Sequence, residues 1–190
     1  MNMGQEDHIP LPVRSLLVLG GARSGKSAYA QSLAETHGSE RLYLATAEVG
    51  DDEMAARIAW HRADRGRGWA TLEEPFEVAR ALGAEARPGR VVVVDCLTLW
   101  LSNLILAGRE PGAAIAGLAE AIGALAGPAI LVSNEVGLGI VPDHKLGREF
   151  RDWQGRANRE IAHACDAAVF IAAGLPVQLK PVRALSVRLS

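Results

Sequence analysis

The segment Gly-Gly-Ala-Arg-Ser-Gly-Lys-Ser contains the residue types that bind phosphate groups, at a spacing that suits them. It matches G-x-x-x-x-G-K-[ST], in which backbone N–H groups of a glycine-rich turn surround the phosphates of a nucleotide. An apolar run precedes it and a helical pattern follows, so the helix N-terminus adds unpaired donors and the positive end of its dipole. The alternative, an ordinary glycine-rich turn between a strand and a helix, is less favoured in this context.

We therefore predict that the whole loop binds a nucleotide, with Lys26 reaching the β- and γ-phosphates and the Ser27 hydroxyl ligating Mg²⁺. Lys26 is the predicted catalytic residue of the loop. The predicted nucleotide-binding residues are Gly20, Gly21, Ala22, Arg23, Ser24, Gly25, Lys26 and Ser27.

Asp95 ends the apolar run 91–94 and is the second candidate metal ligand. An acid at the end of a strand that neighbours a phosphate loop holds Mg²⁺ or its waters in such proteins, and we expect Asp95 to lie beside the loop. The alternative is a helix N-cap for the segment that begins at Leu97, because Asp is a preferred cap.

A predicted helix at 51–65 places Arg57, His61 and Arg65 on one face at i, i+4 and i+8. The guanidinium groups disfavour protonation of the imidazole and attract polyphosphate, so His61 is a candidate nucleophile for a nucleotide α-phosphate. On spacing alone, a solvated polar face with a passive histidine is the competing interpretation.

These residues need a scaffold, and the chain supplies alternating apolar and helical segments. The predicted strands are 16–19, 41–45, 91–94, 129–133 and 167–172, and the predicted helices are 26–37, 51–65, 76–86, 97–107, 113–126 and 146–164. This order predicts a single-domain, P-loop NTPase-like (RecA-like) α/β fold, a mostly parallel sheet with helices on both faces. Ligands of such sheets bind at the carboxyl ends of the strands. We assign 1–14 to a flexible N-terminal extension and 15–190 to the domain.

Bulk composition excludes several classes of protein. The chain has 190 residues, 49% of them hydrophobic, and a net charge of −2, which gives no basic surface for nucleic acid. Asp95, Ser102 and Asn103 interrupt the most apolar region, so no membrane span is predicted. The two cysteines have no metal-ligand spacing and are typical of a reduced, cytoplasmic protein.

Six segments, in chain order, resemble the bifunctional adenosylcobinamide kinase and adenosylcobinamide-phosphate guanylyltransferase family of cobalamin synthesis. They are GGARSGKS, YLATAE, DDEMAARIAWHR, WATLEEP, NEVGLGIVP and FRDWQGRANREIA. The resemblance extends from about Leu16 to Lys180, and NEVGLGIVP together with the Arg-Ile-x-x-His helix is its most specific part.

The resemblance implies roles for individual residues. His61 matches the histidine that accepts GMP as a covalent phosphoramidate, and Asp95 and Glu73 match acidic nucleotide-site positions. The further implied nucleotide contacts are Ala45, Thr46, Ala47, Arg62, Ala63, Asp64 and Arg65. The chain departs from some relatives in having Asp95 in place of glutamate, which puts direct metal ligation in question, and Trp60 in place of a polar residue.

The resemblance also implies a chemistry and an assembly. The kinase would move a γ-phosphoryl group from ATP or GTP to adenosylcobinamide with Mg²⁺ as cofactor, and the transferase would form adenosylcobinamide-GDP through histidine-bound GMP. It further implies a homotrimer. The alternatives are a phosphate-loop kinase without nucleotidyl transfer, a motor or switch NTPase, and a homologue that keeps only the transferase. Asn134 and Glu135 have no assigned role, and a binding role for their glycine-containing loop stands beside a structural one.

Overall fold

The protein is described from a computed structural model, which describes residues 12–37, 40–47 and 68–181. The strands are β1 (Ser15–Gly20), β2 (Glu40–Ala45), β3 (Trp69–Glu73), β4 (Arg90–Asp95), β5 (Ala129–Asn134), β6 (Ala167–Ala172) and β7 (Leu175–Lys180). The described helices are α1 (Lys26–His37), α2 (Val78–Glu85), α3 (Leu97–Leu106), α4 (Pro111–Gly123) and α5 (Lys145–Ala164).

The seven strands form one sheet in the order β3-β2-β4-β5-β1-β6-β7. All neighbouring pairs are parallel except β6 and β7, which form an antiparallel hairpin at one edge. The predicted mostly parallel α/β fold is confirmed. One detail differs from the prediction: β5 lies between β1 and β4, so the strand that carries Asp95 is not the direct neighbour of the strand that leads into the phosphate loop.

Two hydrophobic cores cover the two faces of the sheet. The central strands read as continuous apolar runs, such as Val91–Val94, because both of their faces are buried. One core joins alternate strand residues to α2, α3, α4 and α5, and Trp100 and Leu118 are among its fully buried members. The other joins the opposite set of strand residues to Ala30 and Ala34 of α1. The phosphate loop therefore leads into the helix that covers this second face.

Five of the seven strands match the predicted segments, and β3 and β7 were not predicted. Both unpredicted strands lie at the edges of the sheet and are largely exposed, so neither shows the apolar run that marks a buried strand. The helix predicted at 51–65 lies outside the described residues. The described helices include none that is long and apolar enough to cross a membrane.

Candidate functional site

The phosphate loop begins at Gly20, where the backbone leaves no room for a side chain. A Cβ built at this position would lie 2.5 Å from the Ile171 carbonyl oxygen and 2.7 Å from Ser24 Oγ. Gly25 has φ +97°, a conformation that L side chains rarely adopt. On the other side of the loop, the Gly174 N–H donates to the Ser24 carbonyl oxygen at 2.9 Å, so the β6–β7 turn supports the loop.

Lys26, the first residue of α1, is almost completely buried. The residue is 7% exposed, and Nζ donates to the Gly21 carbonyl oxygen at 2.6 Å, within the loop itself. Burial lowers the pKa of Lys26, while the neighbouring Cys96 and Asp95 act in the opposite direction. Ser24 Oγ is also buried and has no hydrogen-bond partner within the described part of the chain. A buried cation and an unsatisfied hydroxyl in one loop suit an anionic ligand.

The Ser27 hydroxyl faces Asp95 and lies 3.3 and 3.4 Å from its two carboxylate oxygens. The Tyr43 hydroxyl donates to the same carboxylate, so Asp95 is held from β2 as well as from α1. These are hard oxygen donors of the kind that Mg²⁺ prefers. The described residues contain no cluster of three acidic, histidine or cysteine side chains that could bind a metal unaided. The pair therefore fits a Mg²⁺ ion that takes its other ligands from water and nucleotide phosphates.

Asp95 is not the N-cap of α3. The cap position is Cys96, and no side chain makes a capping hydrogen bond there. This removes the structural alternative for Asp95 and leaves its carboxylate facing Ser27.

Three neighbouring strands end at the same level near this pair. Ala45 is in register with Glu73 on one side and with Asp95 on the other, so the three predicted residues form a row at the carboxyl edge of the sheet. Thr46 is fully buried, and its hydroxyl donates to the Cys96 carbonyl oxygen at 2.7 Å and accepts from the Cys96 N–H at 2.9 Å. Its side chain therefore fixes the edge of the sheet, and Ala47 follows it half-buried.

Asn103, which was not predicted as a site residue, holds two of these strand ends together. Its side-chain amide donates to the Thr46 carbonyl oxygen at 2.7 Å and to the Pro75 carbonyl oxygen at 3.2 Å. Tyr43 was also missed. A usable signal existed for Asn103, since it is one of the few polar residues in the mainly apolar α3. Tyr43 lies in a strand, where an aromatic residue is expected.

The catalytic candidate His61 and the nucleotide contacts Arg62, Ala63, Asp64 and Arg65 lie outside the described residues, as does Arg57. The structure therefore brings together the loop Gly20–Ser27 and the row Glu73, Ala45 and Asp95 at the sheet edge. The remaining candidates stay predictions.

Comparisons with known proteins agree with this geometry. The model of the family described as cobinamide kinase / cobinamide phosphate guanyltransferase matches residues 16–179. The chain is 51% identical over 167 residues to the bifunctional adenosylcobalamin biosynthesis protein CobP of Pseudomonas aeruginosa, covering 86% of this chain and 96% of that protein. It is 37% identical over 180 residues to the bifunctional adenosylcobalamin biosynthesis protein CobU of Escherichia coli, covering 87% and 99% respectively. The Salmonella typhimurium protein of the same name is 36% identical with the same coverage.

Proposed function

The chain belongs to the cobinamide kinase / cobinamide phosphate guanyltransferase family, and from this premise we propose that it catalyses both reactions on adenosylcobinamide. It would phosphorylate adenosylcobinamide with ATP or GTP and then transfer GMP from GTP to the product, which yields adenosylcobinamide-GDP. The observation that carries the proposal is the phosphate loop, with Lys26 buried in it and Ser27 facing Asp95.

For the kinase reaction, the loop would hold the triphosphate so that the γ-phosphorus faces the acceptor hydroxyl. The bond from the γ-phosphorus to the nucleoside diphosphate breaks with its electron pair on the diphosphate, a bond to the acceptor oxygen forms, and the hydroxyl proton passes to solvent. The protein contributes position and charge. The Lys26 ammonium, which burial disfavours in the free protein, would be stabilised by the phosphate charge.

Ser27 and Asp95 would hold Mg²⁺ beside the phosphates. When bound, the ion would neutralise part of the charge on the phosphate oxygens. Tyr43 supports this role because its hydrogen bond fixes the Asp95 carboxylate in place.

For the guanylyl transfer, we propose that a ring nitrogen of His61 attacks the α-phosphorus of GTP. A P–N bond forms, and pyrophosphate leaves with the electron pair of the broken P–O bond. A phosphate oxygen of adenosylcobinamide phosphate then attacks the same phosphorus and releases His61. This step rests on the family resemblance and on the spacing of Arg57, His61 and Arg65 in the sequence.

Incubation of the purified protein with α-³²P-labelled GTP tests the proposal. We expect acid-labile, base-stable label on the wild-type chain and none on His61→Ala or His61→Asn, since neither side chain has a basic ring nitrogen. Both variants should still phosphorylate adenosylcobinamide, because phosphoryl transfer to a hydroxyl uses no covalent enzyme intermediate. His163→Ala is the matched control, since His163 is exposed in the last turn of α5, and it should be labelled like the wild type.

Label on either His61 variant would assign the nucleophile to another residue. A wild-type protein that phosphorylates adenosylcobinamide but never becomes labelled would instead be a phosphate-loop kinase without nucleotidyl transfer. Hydrolysis of nucleotide without either product would favour a motor or switch NTPase.

A further inference from the structure

Asn134, the last residue of β5, occupies the gap between the two halves of the phosphate site. It is in register with Gly20, where the phosphate loop begins, and β5 also pairs with β4, which ends at Asp95. Because β5 extends two residues beyond the partner of Asp95, Asn134 lies at the carboxyl edge of the sheet between the loop and the Asp95 carboxylate. The motif that contains it, NEVGLGIVP, has no role in the reactions described above.

The face of the sheet on which the Asn134 side chain lies follows from the alternation of side chains along a strand. Ile130 and Val132 pack in the core that contains α1, whereas the Ser133 hydroxyl donates to Asn158 of α5 on the opposite face. Asn134 therefore projects on the same face as Ile130 and Val132. This is the face that the phosphate loop enters through α1.

The backbone of Asn134 is fixed on three sides. Its N–H donates to Thr98 Oγ1 at 2.9 Å, and its carbonyl oxygen accepts from the Asn158 side-chain amide at 3.0 Å. The next N–H, that of Glu135, donates to the Gly20 carbonyl oxygen at 3.0 Å. The strand end is thus tied to the start of the phosphate loop, to α3 and to α5.

A buried polar cluster supports this anchoring. Gln154 and Asn158 of α5 are 0% and 6% exposed, and Gln154 donates to both the Ser133 hydroxyl and the Asn158 side-chain oxygen at 3.0 Å. Burying two amides is costly unless they are hydrogen-bonded. Gln154 Oε1 has no hydrogen-bond partner among the described residues, but the Gln154 Nε2 group and both polar atoms of the Asn158 side chain are bonded, and these bonds hold the end of β5 in place.

In contrast to its backbone, the side-chain amide of Asn134 is not engaged in holding the fold. Its sole hydrogen bond in the described part of the chain is a weak one, from Nδ2 to the Cys96 sulfur at 4.0 Å. A rigid backbone thus presents an uncommitted, uncharged donor between a loop that binds phosphate and a carboxylate that faces Ser27. A neutral donor contacts a phosphoryl group without the repulsion that a second carboxylate would introduce.

We propose that the Asn134 side-chain amide donates a hydrogen bond to an oxygen of the nucleotide's terminal phosphoryl group and stabilises it during transfer to the acceptor hydroxyl. The inference rests on the proposed kinase function. Asn134 neither gains nor loses a proton in this step. The transferred group becomes planar and moves toward the acceptor as its bond to the diphosphate breaks. A donor held at a fixed point lowers the barrier, beyond any effect on nucleotide binding, when it fits the oxygen positions of this transition state better than those of the bound nucleotide.

Steady-state kinetics of adenosylcobinamide phosphorylation, combined with calorimetric ATP binding in the absence of acceptor, test the inference. We expect Asn134→Ala to lower kcat by roughly 100-fold, as the loss of one well-placed donor does, while the Kd for ATP changes less than about threefold. Asn134→Asp, which keeps the shape, should lower kcat at least as far because a carboxylate repels the phosphoryl group. Gln178→Glu makes the same chemical change at an exposed position of β7 and should keep the wild-type kcat.

A structural role for Asn134 would lower kinase activity and covalent labelling from GTP to the same extent, whereas the proposed contact lowers the kinase reaction more. The inference is overturned if kcat of Asn134→Ala stays within threefold of wild type, or if only its ATP affinity falls. The near-isosteric Asn134→Asp protein decides the matter should the alanine variant fold poorly. A wild-type protein without kinase activity would instead overturn the proposed function.

Discussion

At the scale of single residues, Lys26 shows how the loop is prepared for an anion. The residue is 7% exposed, its ammonium group donates a hydrogen bond to a carbonyl oxygen of its own loop, and burial lowers its pKa. The nearby Asp95 carboxylate offsets only part of the cost of this burial, since the pKa of Lys26 is lowered overall. We therefore expect the charge of Lys26 to contribute more to the proposed binding of a nucleoside triphosphate than to the stability of the free protein.

Lys26→Ala should therefore abolish both proposed activities while the protein stays folded. We expect a loss of several hundredfold or more in kcat/KM for each reaction, because one phosphate loop would serve both. Each product is assayed separately, and far-UV circular dichroism reports folding. Lys145→Ala, at an exposed position of α5, is the matched control and should keep full activity. Near-normal turnover of the Lys26→Ala protein would contradict the assignment of the loop.

At the scale of elements, α3 fixes the carboxyl edge of the sheet on which the row Glu73, Ala45 and Asp95 depends. Its Asn103 side chain donates to carbonyl oxygens in the segments that follow β2 and β3. The Thr46 hydroxyl completes the connection by pairing with both backbone groups of Cys96, directly after β4. Three loops are thereby held by two buried or half-buried polar side chains.

Replacement of Asn103 by leucine should destabilise the protein by about 1–3 kcal/mol, because two carbonyl oxygens lose their donor while the number and branching of the side-chain heavy atoms stay the same. Urea unfolding followed by tryptophan fluorescence measures the effect. The neighbouring Ser102→Ala serves as the control and should change the free energy of unfolding by less than about 0.5 kcal/mol. If Asn103→Leu unfolds at the same urea concentration as the control, the amide does not hold the two segments together.

At the scale of the whole molecule, the antiparallel β6–β7 hairpin extends the sheet on the side of β1 and covers the end of α5. Lys180 of β7 donates to carbonyl oxygens of Ala162 and His163 in the last turn of that helix, and also to the Cys165 carbonyl oxygen. Cys165 is 1% exposed beneath this cap. The reactivity of the Cys165 thiol therefore reports whether β7 and the end of α5 stay packed together in solution.

Burial raises the pKa of Cys165 to about 12. At pH 8 this leaves on the order of a thousandfold less thiolate than an ordinary cysteine has, and the thiolate is the form that reacts with iodoacetamide. We expect Cys165 to stay unlabelled in the native protein over hours and to be labelled within minutes in denaturing urea, as measured by peptide mass spectrometry. Equal labelling rates in both conditions would show that this end of the domain is open in solution.

Family membership could be predicted from the sequence because its signals are local, and the prediction is confirmed. The segment around the loop Gly20–Ser27 combines a strand, a tight glycine turn and a helix start within a few residues. The continuous apolar run 91–94 by itself indicates a buried strand. Such patterns depend on short-range geometry, so they can be recognised without the fold. The homotrimer, Mg²⁺ and the role of His61 remain predictions.

The tertiary structure decided what depends on the order and register of the strands. No local pattern shows that β5 separates β1 from β4, or that the edge strands β3 and β7 exist, since edge strands carry no continuous apolar run. Strand order brings Asn134 level with Gly20 and Asn103 against Thr46 at the end of β2, although more than 50 residues separate the partners in each pair. The sequence alone thus determined the candidate phosphate loop, and the sheet determined which distant polar side chains surround it, because hydrogen bonds between strands set their distances.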